Sequence, residues 1–255
     1  MAGRAGFGEH RKPAVKVAVQ RSVRRRPVPQ RGGVGSPGRA LRPQEMKNRS
    51  AGSGARKLVY LPIIHTAADM GTLGAPVRGR KLSTLGRQGL KVSAAVVDKI
   101  WEEMERVVSN LPVPPGTVRV YQDGLPVCGR EQEIITELAG TGHRNHRLLL
   151  KLQVRGAMLM GTESPELLVE EYQLATAAFA PGASGRTDPG QKQLRDMLLE
   201  KRDRYIGDRI NRTLGAGESG ILFIGMLHQV TKYLDPDIEV VYPLGPPRAR
   251  PGRSA

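Results

Sequence analysis

Cysteine is almost missing from this chain. Cys128 is the only one among 255 residues, so no disulfide can form within it, which fits a reducing, cytoplasmic setting. No uninterrupted apolar run approaches the roughly 18 residues that a membrane-spanning helix needs, so no membrane partner is expected. The first residues lack the apolar core of a secretory signal. Ser-centred nucleophile elbows, Walker loops and dinucleotide fingerprints are also missing, which removes the commonest recognisable hydrolase and nucleotide-binding chemistries.

Acidic residues are scarce at both ends. Residues 1–57 hold 15 Lys/Arg against 2 Asp/Glu, and residues 246–255 hold three Arg and no acid. The remaining 22 basic and 22 acidic residues (of 40 and 24 in all) balance, so the net charge of +16 belongs to the ends. Residues 1–57 are rich in Arg, Gly and Pro and cannot bury enough apolar surface to offset ordering entropy. Composition therefore predicts three parts: a disordered basic extension over 1–57, one domain over 58–245, and a disordered tail over 246–255. The extension reads as an arm that binds nucleic acid or another polyanion, as a transit peptide, or as an upstream extension before a start at Met46.

Within 58–245 the pattern is strand, polar strand end, helix. That order predicts an α/β fold with a mainly parallel sheet of about five strands flanked by helices. The first strand is 58–64, where Pro62 predicts irregular pairing, and it runs into His65 and Asp69. Residues 71–92 read as a long loop, a lid in function, before a helix from a Ser93 cap to about 109. Its buried face is Val96, Val97, Ile100, Trp101, Met104, Val107 and Val108. The strand 117–122 ends in Asp123-Gly124, a pair equally suited to a turn. Cys128 precedes a helix over about 130–139 and is either an activated thiolate or inert. The loop 140–147 carries His143, Arg144 and His146, with Asn145 as a cap, and suits an anion, a metal held by the His143–His146 pair, or a solvated surface. A short strand at 157–160 precedes Glu163, a strand-end acid or a surface acid ahead of the Ser164-Pro165-Glu166 helix start.

The chain is organised around residues 202–229. Leu194, Met197, Leu198, Tyr205, Ile206, Ile210, Thr213 and Leu214 recur at three- and four-residue steps on a helix over about 191–215, which carries Arg202 and Asp203. Gly220-Ile-Leu-Phe-Ile-Gly225 reads as a buried parallel strand, with His228 just beyond its carboxyl end, and a last strand follows at 238–242. Ligands of open parallel sheets bind beyond the carboxyl ends of the strands. His65, Asp69, Asp123, Glu163 and His228 there suit a divalent metal, zinc or manganese, with a metal-bound hydroxide as nucleophile and Arg202 holding an anionic oxygen. Without metal, His228 or His65 with a carboxylate such as Asp203 suits general base work.

Residues 202–228 resemble the C-terminal motif of the TraB/GumN/Tiki superfamily, which is related to erythromycin-esterase-like and ChaN-like proteins. Arg202-Asp203 matches its Arg-containing helix, and Gly225-Met-Leu-His228 its Gly-x-x-His strand end. Pro62-Ile-Ile-His65 keeps the His of the family's first motif and has Pro in place of Gly. The combination of HTAADMG, YQDGLPVCG and GMLHQV is similar to a set of uncharacterised prokaryotic proteins. The superfamily resemblance implies a metal-dependent hydrolase of a small-molecule or peptide substrate. Two alternatives stand beside it: a non-catalytic module binding a small polar or anionic ligand through Arg202, His143 and Arg144, and polyanion binding through the N-terminal arm.

Overall fold

The structure is a computed structural model that describes residues 54–64, 74–178 and 189–246. Its five strands are β1 (Arg56–Ile63), β2 (Val118–Gln122), β3 (Met158–Met160), β4 (Ser219–Gly225) and β5 (Ile238–Val241). They form one sheet in the order β3-β2-β4-β1-β5, with every described pairing parallel. Among the described residues five helices flank it: α1 (Gly74–Asn110), α2 (Glu131–Gly140), α3 (Arg144–Val154), α4 (Pro165–Ala177) and α5 (Pro189–Thr213). The α/β fold with a parallel five-stranded sheet is as the sequence pattern predicts. His65, Asp69, residues 1–53 and residues 247–255, with the disorder expected at both ends, lie outside the described residues.

The two faces of the sheet follow from strand alternation. Leu61 and Ile63 of β1, Val118 and Val120 of β2, and Ile221 and Phe223 of β4 pack under α1, α2 and α3. Leu58 and Tyr60, Tyr121, and Leu222 and Ile224 face the other way, under Ile206, Ile210 and Leu214 at the end of α5. The connection after β2 thus leaves over one face toward β3, and the one after β4 leaves over the other toward β5. β2 and β4 are neighbours, so the crevice between their carboxyl ends is a topological switch point, where open α/β sheets bind ligands.

Several boundaries differ from the sequence reading. β1 starts at Arg56, whose guanidinium bonds Asp237, Asp235 and the carbonyls of Asn211 and Leu214, so Arg56 and Lys57 belong to the domain. Pro62 does not disturb pairing, since the β1–β4 register runs unbroken through Pro62↔Ile224. On its other side β1 pairs β5 only as far as Val59, so Pro62 sits where one neighbour alone draws on the strand's amides. The expected loop over 74–92 is helix, and Ser93 lies inside it rather than at its start. Leu, Lys, Arg, Gln and Ala in that stretch are good helix formers whose weak apolar period hid them. The helix propagates from the part anchored by buried Trp101, Met104 and Val108, while Val96 is half exposed. This removes the basis for a lid over 74–92. α3 begins at Arg144 with His143 before it, so Asn145 lies in the first turn, its side chain accepting from the His146 amide. Ser164 caps α4 as expected, accepting from the Leu167 amide at 3.2 Å.

On α5 the buried stripe is Leu198, Arg202, Ile206 and Ile210, with Asp203 and Gly207 beside it. Leu194 and Met197 are about half exposed and lie outside the core. A four-residue repeat places Arg202 where an apolar residue would complete the stripe. That substitution of a cation into a buried row is the local origin of the polar centre.

Candidate functional site

The carboxyl ends of β2, β3 and β4 bring Asp123, Glu163 and His228 to one place, and α5 adds Arg202 and Asp203. All five are buried. Beyond β2 the chain turns at Gly124, whose φ of 76° is open to glycine without strain. Residues past the turn stay beside the end of β3. Thr162 and Glu163 amides donate to the Leu125 carbonyl, and the Val127 amide donates to the Glu163 carbonyl. Gly161 permits this approach, because a Cβ there would sit 2.8 Å from the Val127 Cα. Glu163 is thereby fully buried, which excludes the surface-acid alternative.

Arg202 is the hub. Its Nε donates to Glu163 Oε2 (2.7 Å) and its Nη2 to Glu163 Oε1 (2.6 Å), a bidentate fork. Nη2 also reaches Asp123 Oδ1 (2.9 Å), and Nη1 reaches Glu171 Oε1 on α4 (2.6 Å). The carboxylates also hold backbone. Glu163 Oε1 accepts from the Gly124 amide, Asp123 Oδ2 from the Gly225 amide, and Asp203 Oδ2 from the Gln229 amide, each at 2.8 Å. The first two bonds tie neighbouring strand ends together, and the third ties α5 to the turn after β4.

His228 is the second centre. Its Nδ1 lies 2.5 Å from Asp203 Oδ1, and its Nε2 lies 3.5 Å from Asp123 Oδ2. The ring is 5% exposed. Burial disfavours its charged form, but the Asp123 charge and the Asp203 hydrogen bond outweigh burial and leave its pKa above the ordinary value. Burial likewise pushes Glu163 up, against the opposing charge of Arg202. For Arg202, burial is outweighed by Glu163 and Asp123, so its positive charge is held more firmly than in water.

The sequence-derived set is therefore only partly assembled. Asp123, Glu163, Arg202, Asp203 and His228 come together. His143 and Arg144 do not join them. They open α3 on the opposite face of the sheet from α5, where Arg144 pairs with Glu105 and Asp98 of α1. Cys128 is half-buried, and burial raises its thiol pKa, against activation. Two members escaped the sequence. Glu171 reads as one surface acid among several on α4. Tyr60 reads as an apolar strand residue, yet its hydroxyl is buried without a described partner on the sheet face that α5 covers.

By themselves, the described residues do not fit a divalent ion. Every carboxylate oxygen of Asp123 and Glu163 accepts from Arg202 or a backbone amide, His228 Nδ1 is bonded to Asp203, and Arg202 supplies the positive charge. Among the described residues no group of three or more His, Cys, Asp and Glu side chains is placed to hold a metal ion. Among them, too, no helix is long and apolar enough to cross a membrane. In comparison with known proteins, no family model, curated protein or solved structure matches the chain.

Proposed function

We propose that the chain is a hydrolase whose working group is His228, oriented by Asp203 at the switch-point crevice. The observation that carries this is the 2.5 Å bond between His228 Nδ1 and Asp203. With Nδ1–H donated to Asp203, Nε2 is the proton-accepting nitrogen, and Asp123 Oδ2 at 3.5 Å lies beyond a good hydrogen bond to it. In this role His228 Nε2 takes a proton from water as the water oxygen adds to a substrate carbonyl, and returns it to the leaving group. Asp203 holds the tautomer and balances the imidazolium. Arg202 acts through position, since each of its three nitrogens is spent on Glu163, Asp123 and Glu171. The metal-assisted form of the same hydrolysis draws on His65 and Asp69, which lie beyond the described residues. A cytoplasmic setting, supported by the single cysteine, belongs to the same reading.

The test is a hydrolysis screen of ester, anilide and peptide substrates on the full chain, with and without zinc or manganese. Turnover that falls about a hundredfold in His228→Ala and in Asp203→Asn is expected. Full activity in His228→Ala, or no turnover under any condition, overturns it. The charge of residues 1–57 favours a second, independent activity, binding of nucleic acid by that arm. The ligand-binding alternative finds less support, because Arg202 stands apart from His143 and Arg144.

A further inference from the structure

Tyr60 lies on β1 opposite Leu222 of β4, on the face covered by α5. It is 1% exposed, and its ring packs against Tyr242 with centroids 5.3 Å apart. Its hydroxyl is buried and has no hydrogen-bond partner among the described groups. A buried hydroxyl in that condition is unfavourable. Protein interiors satisfy such groups with ordered water, which makes about three hydrogen bonds of its own. Burial first, then Tyr242, Asp203 and Asp123, push the phenol's pKa well up, so the group stays protonated and acts as a donor. Tyr60 shares one apolar cluster with Ile206 of α5, and Asp203 lies one turn before Ile206 among the buried residues of that helix, so its carboxylate is an acceptor on this face for a bridging water. Each carboxylate oxygen of Asp203 carries one described bond, to His228 or to the Gln229 amide, and retains a second lone pair.

We propose that Tyr60 is a positioning residue of this centre, its O–H holding one internal water that bridges it to the Asp203 carboxylate. The site is a water site built from β1 and α5, and its effect on chemistry passes through Asp203 to His228. Asp203 then receives bonds from His228, from the Gln229 amide and from the water, which fixes the carboxylate plane and with it the imidazole. The consequence for turnover rests on the hydrolase reading; the water site does not.

A crystal structure of the full chain at a resolution that shows ordered water tests the site directly. A water within hydrogen-bond distance of both Tyr60 Oη and Asp203 is expected, and it should be missing in Tyr60→Phe, whose ring keeps the contact with Tyr242. An Oη enclosed by apolar atoms alone, or a water that persists in Tyr60→Phe, overturns the proposal. Where the screen finds turnover, Tyr60→Phe should lower kcat about tenfold with KM unchanged, the scale of one lost bond to an oriented charged group. An unchanged kcat, or a change in KM alone, overturns the positioning role. Absence of turnover in the parent chain defeats the hydrolase reading and leaves the crystallographic result to decide the water.

Discussion

Replacing Arg202 with methionine removes the guanidinium from among Glu163, Asp123 and Glu171 while keeping most of the side chain's apolar length. Three of its carboxylate bonds go to Glu163 and Asp123, whose side chains are 1% and 5% exposed. The fourth goes to Glu171, which is 50% exposed. An exposed pair contributes at most about 1 kcal/mol, so the two buried acids decide the outcome. Stripping one partner from a buried ion pair costs about 3–5 kcal/mol, because it strands a charge in a poorly solvating interior. For a domain of this size each kcal/mol moves Tm by about 2–4 °C, so a fall of roughly 6–20 °C is expected near neutral pH. The deficit also has a direction in pH. Burial already raises the Glu163 pKa against the pull of Arg202. A carboxyl whose folded pKa is raised favours the folded state below its unfolded pKa, and that contribution is lost as pH rises through the folded value. Without Arg202 the folded value climbs further, so the deficit of Arg202→Met should be smallest in mild acid and grow toward neutrality. Thermal unfolding by calorimetry at about pH 5 and about pH 7.5 measures both points. Glu171→Gln serves as the surface control, and Arg202→Met/Glu163→Gln as the compensated variant. Arg202→Met within about 2 °C of the parent at the higher pH would refute the account of Arg202 as the hub, as would a deficit equal at both pH values.

Other outcomes follow from the same geometry. His228 has a folded pKa above its unfolded value of about 6.5; its contribution is therefore complete below about pH 6.5 and is lost as pH rises through the folded value. Urea unfolding should show the parent losing stability on that rise and His228→Gln changing less, and parallel curves would sink the assignment. Gly207 faces the turn at Val230–Tyr233, and an added Cβ would lie 2.6 Å from the Tyr233 Cβ; Gly207→Ala should cost about 1–3 kcal/mol by overpacking, read from the same denaturant curves. Elemental mass spectrometry decides the metal: near-stoichiometric zinc or manganese in the parent, with little in His65→Ala/His228→Ala, supports the metal-assisted form, and none in either after reconstitution removes it. Nucleic-acid binding should fall steeply with salt and vanish on deletion of residues 1–53, which spares Arg56 and Lys57 in β1; equal binding by the truncated chain would place it elsewhere.

The sequence made much of the fold legible because its signals are local. Gly220–Gly225 is an apolar run between glycines and is β4. The Ser164 cap, Pro165 and Glu166 start α4 where they should. Asp123, Glu163 and His228 were visible because each follows an apolar run, and a parallel sheet sends all such ends to one edge. What stayed hidden depended on three dimensions. Strand order sets β2 beside β4, and no periodicity reports that. His143 and Arg144 looked like partners for Arg202 because all three suit an anion, but α3 and α5 lie on opposite faces of the sheet. Residues 74–92 looked like a loop because helix propensity without an apolar face leaves little pattern. Tyr60 was hidden by its own strand, where a phenol satisfies the apolar rule with its ring and breaks it with its hydroxyl.

The buried charges of this centre are not needed to hold the core together. A well-packed apolar replacement of a buried ion pair is often neutral or stabilising, and the Leu198, Ile206 and Ile210 row on α5 shows what such a replacement at 202 would continue. What charge supplies here is direction. Glu163 takes the amide of Gly124 from the turn beyond β2, Asp123 takes that of Gly225 at the end of β4, and Asp203 takes that of Gln229 next to His228. Each carboxylate belongs to one element and grips the backbone of another, so strand ends that apolar contact would leave free to shift are pinned to one another. Arg202 neutralises two of the three acids and leaves Asp203 to the imidazole. Apolar replacement of Arg202 together with Glu163 and Asp123, unlike loss of Arg202 alone, would leave the sheet intact and the strand ends around His228 unpinned. That separation of stability from orientation is what the proposed hydrolase reading requires of a centre at the switch point.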